Sequence, residues 1–274
     1  FTVVLNSILD PLFIYTFDMG IRGAAIATIL SQTVALVWQI RLFSDKGELL
    51  HLKRGIYRLD NIIVKNILGI GISPFAMNAT ACLVAIFVNQ RLLEYGGDLA
   101  VGAFGIANRV AFIFIMINFG VNQGMQPIAG YNYGAQNYDR LMRVLKLAMI
   151  AGTCVTTSGF IVAEFMPHLC VRLFTNDKVL TDLAVNGIRI MMAAMPIVGY
   201  QMIVTNFFQS IGKAKISIFL SLSRQLLFLV PLIGVMPVFF GVNGVWVAMP
   251  ISDSFSAIFA LVMMVRYMRV FKKR

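Results

Sequence analysis

Long apolar stretches dominate this chain of 274 residues. A helix needs roughly 20 residues to cross the hydrocarbon core of a bilayer, whereas a buried strand needs only about 4 to 8. Hydrophobic residues make up 59% of the chain and charged residues 13%, against about 25% charged residues in soluble domains. The sequence therefore predicts an all-α polytopic membrane protein with about eight visible helices. The expected spans are residues 1–17, 21–43, 62–92, 99–126, 142–166, 180–211, 214–238 and 242–268.

A segment near the start of the chain recurs near its end. Residues 20–32 read GIRGAAIATILSQ and residues 241–253 read GVNGVWVAMPISD, so both fit G-x-x-G-x-x-x-A-x-x-x-S-[QD]. Pro11 precedes the first copy much as Pro231 precedes the second. A repeat at a spacing of about 220 residues predicts two related lobes of about six helices each, or about 12 in the complete protein. We therefore expect roughly 160 or more residues to precede this chain.

Basic residues are concentrated in alternate loops. Sixteen of the 23 Lys and Arg lie in the segments 41–65, 140–146, 213–215 and 266–274. Loops rich in Lys and Arg remain in the cytoplasm, so we expect these segments and the C-terminus to be cytoplasmic. The net charge of +11 then reflects membrane topology, and we expect no nucleic-acid partner.

The polar segment 44–61 is the only long hydrophilic stretch in the sequence. We interpret residues 1–43 as the end of an N-terminal lobe, 44–61 as a cytoplasmic inter-lobe loop, and 62–274 as a C-terminal lobe with a basic tail. Prolines within the expected helices predict local breaks, which neighbouring helices or a wet cavity can satisfy. These prolines are Pro74, Pro196, Pro231 and Pro250.

Asp10 is the strongest candidate for an ion site. An ionisable group at membrane depth is costly, so a functional role is the default hypothesis. Asn6 lies four residues earlier, on the same face of a helix. Pro11 lacks an N–H and leaves the carbonyl near residue 7 unpaired. A carboxylate, an amide and a free carbonyl suit a proton or a small cation; the alternative is that Asp10 caps a turn near the outer membrane face.

A second set of polar residues lies deeper in the sequence. Asp253 and its repeat equivalent Gln32 form a candidate secondary polar site, where a packing hydrogen bond is the expected role of Asp253. Arg109, Arg189 and Arg224 are expected to pair or to reach the membrane interface, with Asp182 as the partner of Arg189. Cysteines occur at three positions without C-x-x-C spacing, so we expect no metal site, disulfide or cofactor.

Three motifs resemble one family of transporters. Residues 6–14 (NSILDPLFI) followed by 20–28 (GIRGAAIAT) resemble the fifth and sixth helices of multidrug and toxic compound extrusion (MATE) transporters. Residues 126–135 (QPIAGYNYGA) are similar to the segment after the eighth helix, and 208–214 (FQSIGKA) to the turn between the tenth and eleventh. The resemblance covers essentially the whole chain.

The resemblance implies a monomeric two-lobe antiporter of a bacterial inner membrane. Such proteins rock between outward- and inward-facing states and expel amphipathic, often cationic, organic compounds in exchange for H⁺ or Na⁺, without a cofactor. In the DinF-like branch, the implied cation site comprises Asn6, Asp10 and Thr28, completed by an Asp from helix one. That helix lies outside this chain, so these residues alone are not expected to transport.

One departure from the family bears on the coupling ion. The NorM-like branch has a Glu in helix seven after a Pro, whereas Cys82 stands eight residues after Pro74 here. Coupling through the first lobe is therefore favoured. A carboxylate with amide and hydroxyl neighbours suits H⁺ and Na⁺ alike.

Two other functions remain as alternatives. A flippase for lipid-linked saccharides has similar lobes but needs a cationic cavity, for which only Arg109, Arg189 and Arg224 are available at depth. A membrane enzyme acting on lipids needs clustered acids or histidines. The sequence contains no D-x-x-x-D or H-x-x-x-H constellation of that kind.

Overall fold

The computed structural model describes residues 2–45, 47, 51 and 59–271, without the side chains of residues 66, 70, 73, 74 and 269–271. These ranges are helical apart from short turns and include no strand, which confirms the all-α prediction. The chain divides into two compact units, Phe1–Lys65 and Asn66–Arg274. Most of the expected inter-lobe loop 44–61 and the last three basic residues of the tail lie outside the described residues. The assignment of the lobes stays a prediction.

The first unit is a pair of helices joined by a tight turn. Helix α1 (Thr2–Pro11) continues as a π-helical turn (Leu12–Thr16) and is followed by α2 (Gly20–Ser44). Only Gly23, Ala27 and Ser31 are buried among the α2 residues. They are four residues apart and share one face. A Cβ on Gly23 would lie 2.7 Å from the Phe13 carbonyl oxygen, so the two backbones nearly touch.

Helix α3 (Asn61–Gly134) is too long for one crossing. Its 74 residues would extend roughly 110 Å at about 1.5 Å per residue, against about 30 Å of hydrocarbon. The helix breaks at Gly97, whose φ of 66° and ψ of −168° are open to glycine but strained for other residues. Val88 before the break and Ala100 after it share one buried cluster, so the two arms fold back on each other. These arms, 61–96 and 98–134, correspond to the expected spans 62–92 and 99–126.

Short turns connect most of the remaining helices. Asn137 caps the first of them by accepting a hydrogen bond from the Arg140 N–H, and Asp177 caps another through the Leu180 N–H. In chain order they are α4 (Tyr138–Phe165), α5 (Pro167–Arg172), α6 (Lys178–Met192), α7 (Met195–Ser210), α8 (Ala214–Leu222), a π-helical segment (Ser223–Leu229), α9 (Val230–Phe240) and α10 (Val242–Phe271).

The described helices account for a protein that crosses the membrane several times. Five are long and apolar enough to span, or six when the bent pair α6 and α7 counts as one. Dividing α3 at Gly97 and adding the shorter apolar helix Thr2–Thr16 gives the eight expected helices. The polytopic prediction is confirmed.

Two of the four expected proline breaks occur. A bend of 51° precedes Pro196, and the π-helical segment ends just before Pro231. The expectation was wrong at Pro74 and Pro250, where the backbone stays helical. A proline removes one backbone hydrogen bond, and packing can hold the helix through the defect. Trp246 and Ser252, both 1% exposed, fix α10 on either side of Pro250.

Two of the family-like motifs meet in one buried cluster of the second unit. Ala129 from the motif 126–135 packs in one cluster with Phe208 and Ile211 from the motif 208–214. A Cβ on Gly130 would lie 3.3 Å from the Ser210 carbonyl oxygen. These motifs therefore bring α3 against the end of α7.

A close helix crossing in this unit joins α4 to α7. A Cβ on Gly199 would lie 2.6 Å from the Gly152 carbonyl oxygen and would also meet the Thr156 hydroxyl. The Thr156 hydroxyl itself donates to the Gly152 carbonyl oxygen at 2.9 Å. Small residues allow such backbone contact between membrane helices, where lipid removes the hydrophobic drive for association.

The second copy of the repeat has the same construction as the first. Gly241 ends α9 with a φ of 57° and a ψ of −139°, as Gly20 begins α2 with a φ of 52°. Gly244 faces the Met236 carbonyl, and Ala248 and Ser252 are buried behind it. The repeated pattern thus encodes a reversal followed by a stripe of small residues that contacts the preceding helix.

Gly244→Ala is expected to destabilise the full-length protein by about 1–3 kcal/mol, because the added Cβ meets backbone atoms that cannot rotate away. Gly234→Ala is the matched control, since nothing lies within 4 Å of the added methyl and alanine is the better helix former by about 1 kcal/mol. Thermal unfolding in detergent measures both. Equal melting temperatures for the two variants would contradict the close approach.

Candidate functional site

Asn6, Asp10 and Thr28 are brought together in the first unit. The Asn6 Nδ2 donates to Asp10 Oδ1 at 3.2 Å and to Thr28 Oγ1 at 3.4 Å. The Thr28 hydroxyl donates to the Ala24 carbonyl oxygen at 2.9 Å. Asn6 and Asp10 are half-buried, and Thr28 is exposed. The three side chains form one hydrogen-bonded cluster between α1 and α2, which we call the first-unit cluster.

The turn between the helices positions this cluster. The Phe17 N–H donates to the Leu12 carbonyl at 3.1 Å, and the Met19 N–H donates to the Phe13 carbonyl at 3.2 Å. These bonds reverse the chain, and the missing side chain of Gly23 lets α2 approach α1. Thr28 follows the buried Ala27 on α2 and lies within hydrogen-bond distance of Asn6. The close approach at Gly23 therefore helps to bring the cluster together.

The cluster offers oxygen atoms and a negative charge. Asp10 supplies a carboxylate, Asn6 an amide and Thr28 a hydroxyl, while Pro11 cannot donate to the carbonyl four residues before it. Among the described residues, no Lys or Arg forms an ion pair with Asp10. The arrangement has the chemistry to bind a proton or a small cation.

Asp253 has a different environment. It is 8% exposed, and its Oδ1 lies 2.6 Å from Nε of Arg224, which projects from the π-helical segment. The neighbouring Ser252 hydroxyl donates to the Arg224 carbonyl oxygen at 2.8 Å. The hydrogen bond of Asp253 is thus also an ion pair, in which the Asp253 side chain is largely buried and the Arg224 side chain is a third exposed. Its repeat equivalent Gln32 lies exposed on α2.

Arg189 pairs with a residue that the sequence did not indicate. Its Nε lies 3.8 Å from Glu164 Oε1, and its Nη2 donates to the Glu164 carbonyl oxygen at 3.2 Å. The predicted partner Asp182 was wrong, because it lies two turns earlier on α6, about 10 Å along the axis. Glu164 instead comes from the end of α4.

A cavity of about 360 Å³ lies in the second unit. Both arms of α3, the α6–α7 bend, the π-helical segment and α10 contribute to its wall. Most of the lining is apolar, and the polar exceptions are Asn108, Arg224, Gln225 and Asp253. The Arg224–Asp253 ion pair therefore lies at the edge of a space large enough for an organic molecule.

The family model described as MatE matches residues 70–233, which is more than half of the chain. The chain belongs to the MatE family. Its similarity to curated proteins extends over nearly all of its length. Multidrug export protein MepA of Staphylococcus aureus strain N315 is 26% identical over 260 residues, covering 95% of this chain and 57% of the relative. The protein of the same name from Staphylococcus saprophyticus is 24% identical with the same coverage.

Solved structures of MATE transporters share the fold of this MatE chain. An outward-facing multidrug resistance MATE family transporter of the MOP superfamily matches with a TM-score of 0.90 and 24% identity, covering 100% of this chain and 62% of that one. A MOP superfamily transporter from Pyrococcus furiosus matches with a TM-score of 0.89 and 24% identity, at the same coverage. The chain thus spans about three fifths of the length of these relatives.

Membership in a transporter family confirms that this MatE chain is not an enzyme. Among the described residues, no group of three or more His, Cys, Asp or Glu could hold a metal ion. The cysteines at positions 82, 154 and 170 are free. Burial raises the pKa of the Cys170 thiol, which disfavours the reactive thiolate.

Sequence reasoning found the first-unit cluster but missed the partner of Asp253. The i, i+4 spacing of Asn6 and Asp10 is readable within one helix, whereas Thr28 depended on the family resemblance. Arg224 was singled out without a partner, because 29 residues and a change of helix separate it from Asp253. Pairing every charge expected at membrane depth with every opposite one would have suggested the contact.

Proposed function

We propose that the full-length protein exports amphipathic or cationic organic compounds in exchange for H⁺ or Na⁺, and that the first-unit cluster binds the coupling ion. The observation that carries the proposal is Asp10 in hydrogen-bond contact with Asn6, with no basic partner among the described residues. The relatives named Multidrug export protein MepA support organic compounds as the cargo.

Coupling would work through a difference in ion affinity between two states of the protein. An ion that binds both states equally shifts nothing, and changing a 1:99 population to 99:1 takes about 5.5 kcal/mol of differential binding. In the state that faces the ion source, Asp10 would be protonated or bound to Na⁺. In the other state it would release the ion, and the cargo would favour one of the two states in the same way.

Either ion fits the chemistry of the cluster. A proton would bind an oxygen of Asp10, while the Asn6 amide could still donate to the other oxygen. Na⁺ would use the Asp10 carboxylate with the Thr28 hydroxyl and the Asn6 amide oxygen after rotation of that amide. The family resemblance implies one further Asp from a helix outside this chain.

The proposed setting is a bacterial inner membrane, with a monomeric protein in contact with lipid. The basic loops and the C-terminus would be cytoplasmic, as the distribution of Lys and Arg indicates. The bacterial relatives support this setting.

A flippase for anionic lipid-linked saccharides is less well supported. Such a protein needs unpaired cations inside its cavity. Arg189 is paired with Glu164, and Arg224 is paired with Asp253. Of the three candidates, only Arg109 lacks an ion pair among the described residues, and one cation is a weak basis for holding a pyrophosphate.

Vesicles that contain the full-length protein test the proposal directly. A cationic dye is loaded, and the pH gradient and the sodium gradient are imposed separately. One of the two gradients is expected to drive dye efflux, while vesicles without protein release dye at the leak rate under both. Equal efflux with and without each gradient would exclude coupled antiport.

A further inference from the structure

The cavity of the second unit combines an apolar wall with a polar end. Phe104, Phe112, Met191, Met195 and Met249 supply part of the apolar lining. Its volume of about 360 Å³ lies within the range of about 300–1,000 Å³ that is typical of sites for small organic ligands. Methionine side chains are flexible and polarizable, so the wall can adapt to the shape of a ligand.

The polar end of the cavity has no net charge. Arg224 and Asp253 are its only charged lining residues among those described, and their contact of 2.6 Å makes them one neutral pair. A third charge in such a low-dielectric space would meet an attractive and a repulsive group at nearly the same distance. It would gain little from the pair and would lose its hydration. The electrostatics therefore favour an uncharged ligand.

The same end offers both kinds of hydrogen-bonding group. The Nε of Arg224 donates to Asp253, whereas its terminal guanidinium N–H groups make no hydrogen bond to a described residue. A third of the Arg224 side chain is exposed, so these donors are accessible. The neighbouring Gln225 Oε1 is buried and accepts no hydrogen bond from the described residues. A buried acceptor without a donor is costly, and a ligand N–H or O–H would satisfy it once the Gln225 amide turns its oxygen toward the cavity.

From these observations we propose that the second-unit cavity is a binding site for a small uncharged amphiphile whose polar end carries an acceptor beside a donor, as a carboxamide does. The carbonyl of the ligand accepts from the Arg224 guanidinium, its N–H donates to Gln225 Oε1 after rotation of that amide toward the cavity, and its apolar body lies among the Phe and Met side chains. The Arg224–Asp253 pair provides the donors while keeping the site electrically neutral.

This site differs in charge from the first-unit cluster, where Asp10 has no basic partner among the described residues. The proposal does not depend on ion-coupled export, because it concerns equilibrium binding. Failure of the vesicle experiment would leave it intact, and its own failure would leave the antiport proposal intact.

Three naphthalene probes of nearly the same shape test the charge preference. They are naphthalene-2-carboxamide, naphthalene-2-carboxylate and naphthalene-2-carboxamidinium, which carry charges of zero, minus one and plus one. Binding to the full-length protein in lipid nanodiscs is measured by calorimetry at neutral pH. We expect the carboxamide to bind at least about tenfold more tightly than either ion. The loss of one hydrogen bond to a charged group typically weakens binding by that factor.

Substitutions in the ion pair should change the preference in opposite directions. Asp253→Asn leaves the Arg224 charge unbalanced, so the carboxylate becomes the preferred probe. Arg224→Gln leaves the Asp253 charge unbalanced, so the amidinium becomes the preferred probe. The double variant Arg224→Gln/Asp253→Asn is neutral again and should return to the carboxamide. Gln225→Leu should weaken the carboxamide without changing the order of the two ions.

Two further variants serve as controls. Glu164→Gln breaks another ion pair of this unit, which lies outside the cavity lining, and should leave all three affinities unchanged. Ala85→Trp places a large side chain at an exposed lining position and should abolish binding of all three probes. If a single charge variant does not fold, the wild type and the double variant still decide the question.

Several results would overturn the proposal. These are equal affinity of the wild type for all three probes, tighter binding of either ion than of the carboxamide, or no detectable binding. A probe order that stays the same in both single charge variants would also overturn it, as would carboxamide binding that Ala85→Trp leaves intact.

Discussion

Replacing Asp10 by Asn in the full-length protein is expected to reduce ion-driven export by about 100-fold, which corresponds to loss of about 3 kcal/mol of coupling. The amide has nearly the shape of the carboxylate and can still accept from Asn6, so the α1–α2 pair should persist. It has no charge, however, and neither takes up a proton at neutral pH nor attracts Na⁺. Dye efflux from vesicles under each ion gradient measures the loss.

The matched control for this experiment is Asp18→Asn. It removes the same charge from the same unit, at an exposed turn position outside the first-unit cluster. Its efflux should equal that of the wild type. Thr28→Val should give an intermediate result, with an ion affinity about tenfold lower, because one hydrogen-bonding oxygen is lost while the charge remains. Full coupling in the Asp10→Asn variant would show that the ion binds elsewhere.

Gly199→Leu is expected to have the largest effect on stability. The new side chain would occupy the place where α7 touches the Gly152 backbone and the Thr156 hydroxyl on α4. Forcing the helices apart should cost about 3 kcal/mol or more, which lowers the melting temperature by about 6–12 °C in a unit of this size.

Gly120→Leu provides the comparison for this substitution. Gly120 is also helical and exposed on α3, and nothing lies within 4 Å of an added Cβ. Both proteins are purified in detergent and followed by thermal unfolding and size-exclusion chromatography. If Gly199→Leu melts together with Gly120→Leu, the α4–α7 contact does not limit the size of the side chain at position 199.

Much of the fold was predictable because lipid imposes simple rules on sequence. Apolar length alone predicted the helices, and the repeated G-x-x-G pattern predicted two related lobes. The shared geometry of the two copies, a reversal at a glycine followed by a stripe of small residues, was not readable, since it depends on the backbone angles of Gly20 and Gly241. Proline was a weaker guide than glycine: α3 continues through Pro74 but breaks at Gly97, where the conformation itself needs glycine.

The two candidate sites also differ in how far the sequence could predict them. Asn6 and Asp10 lie on one helix, so their contact follows from helical periodicity. Arg224 and Asp253 meet across a π-helical segment, where the usual spacing of residues around the axis is altered. The periodicity of a regular α-helix, 3.6 residues per turn, could therefore not predict that Arg224 faces α10. The cavity beside this pair depends on the packing of several helices and leaves no local signal.

The few buried residues on α2 have a consequence for how ion binding would affect the contact between α1 and α2. Ala27 is the single fully buried hydrophobic residue among those described in the first unit. Lipid gives two apolar helices little reason to associate, so this hairpin is held by backbone contact at Gly23 and by the Asn6–Thr28 hydrogen bond. The side chains that would bind the ion therefore also form the hydrogen bond that joins α1 to α2. Binding and release of the ion would therefore change the α1–α2 contact directly, without any further residues to transmit the effect.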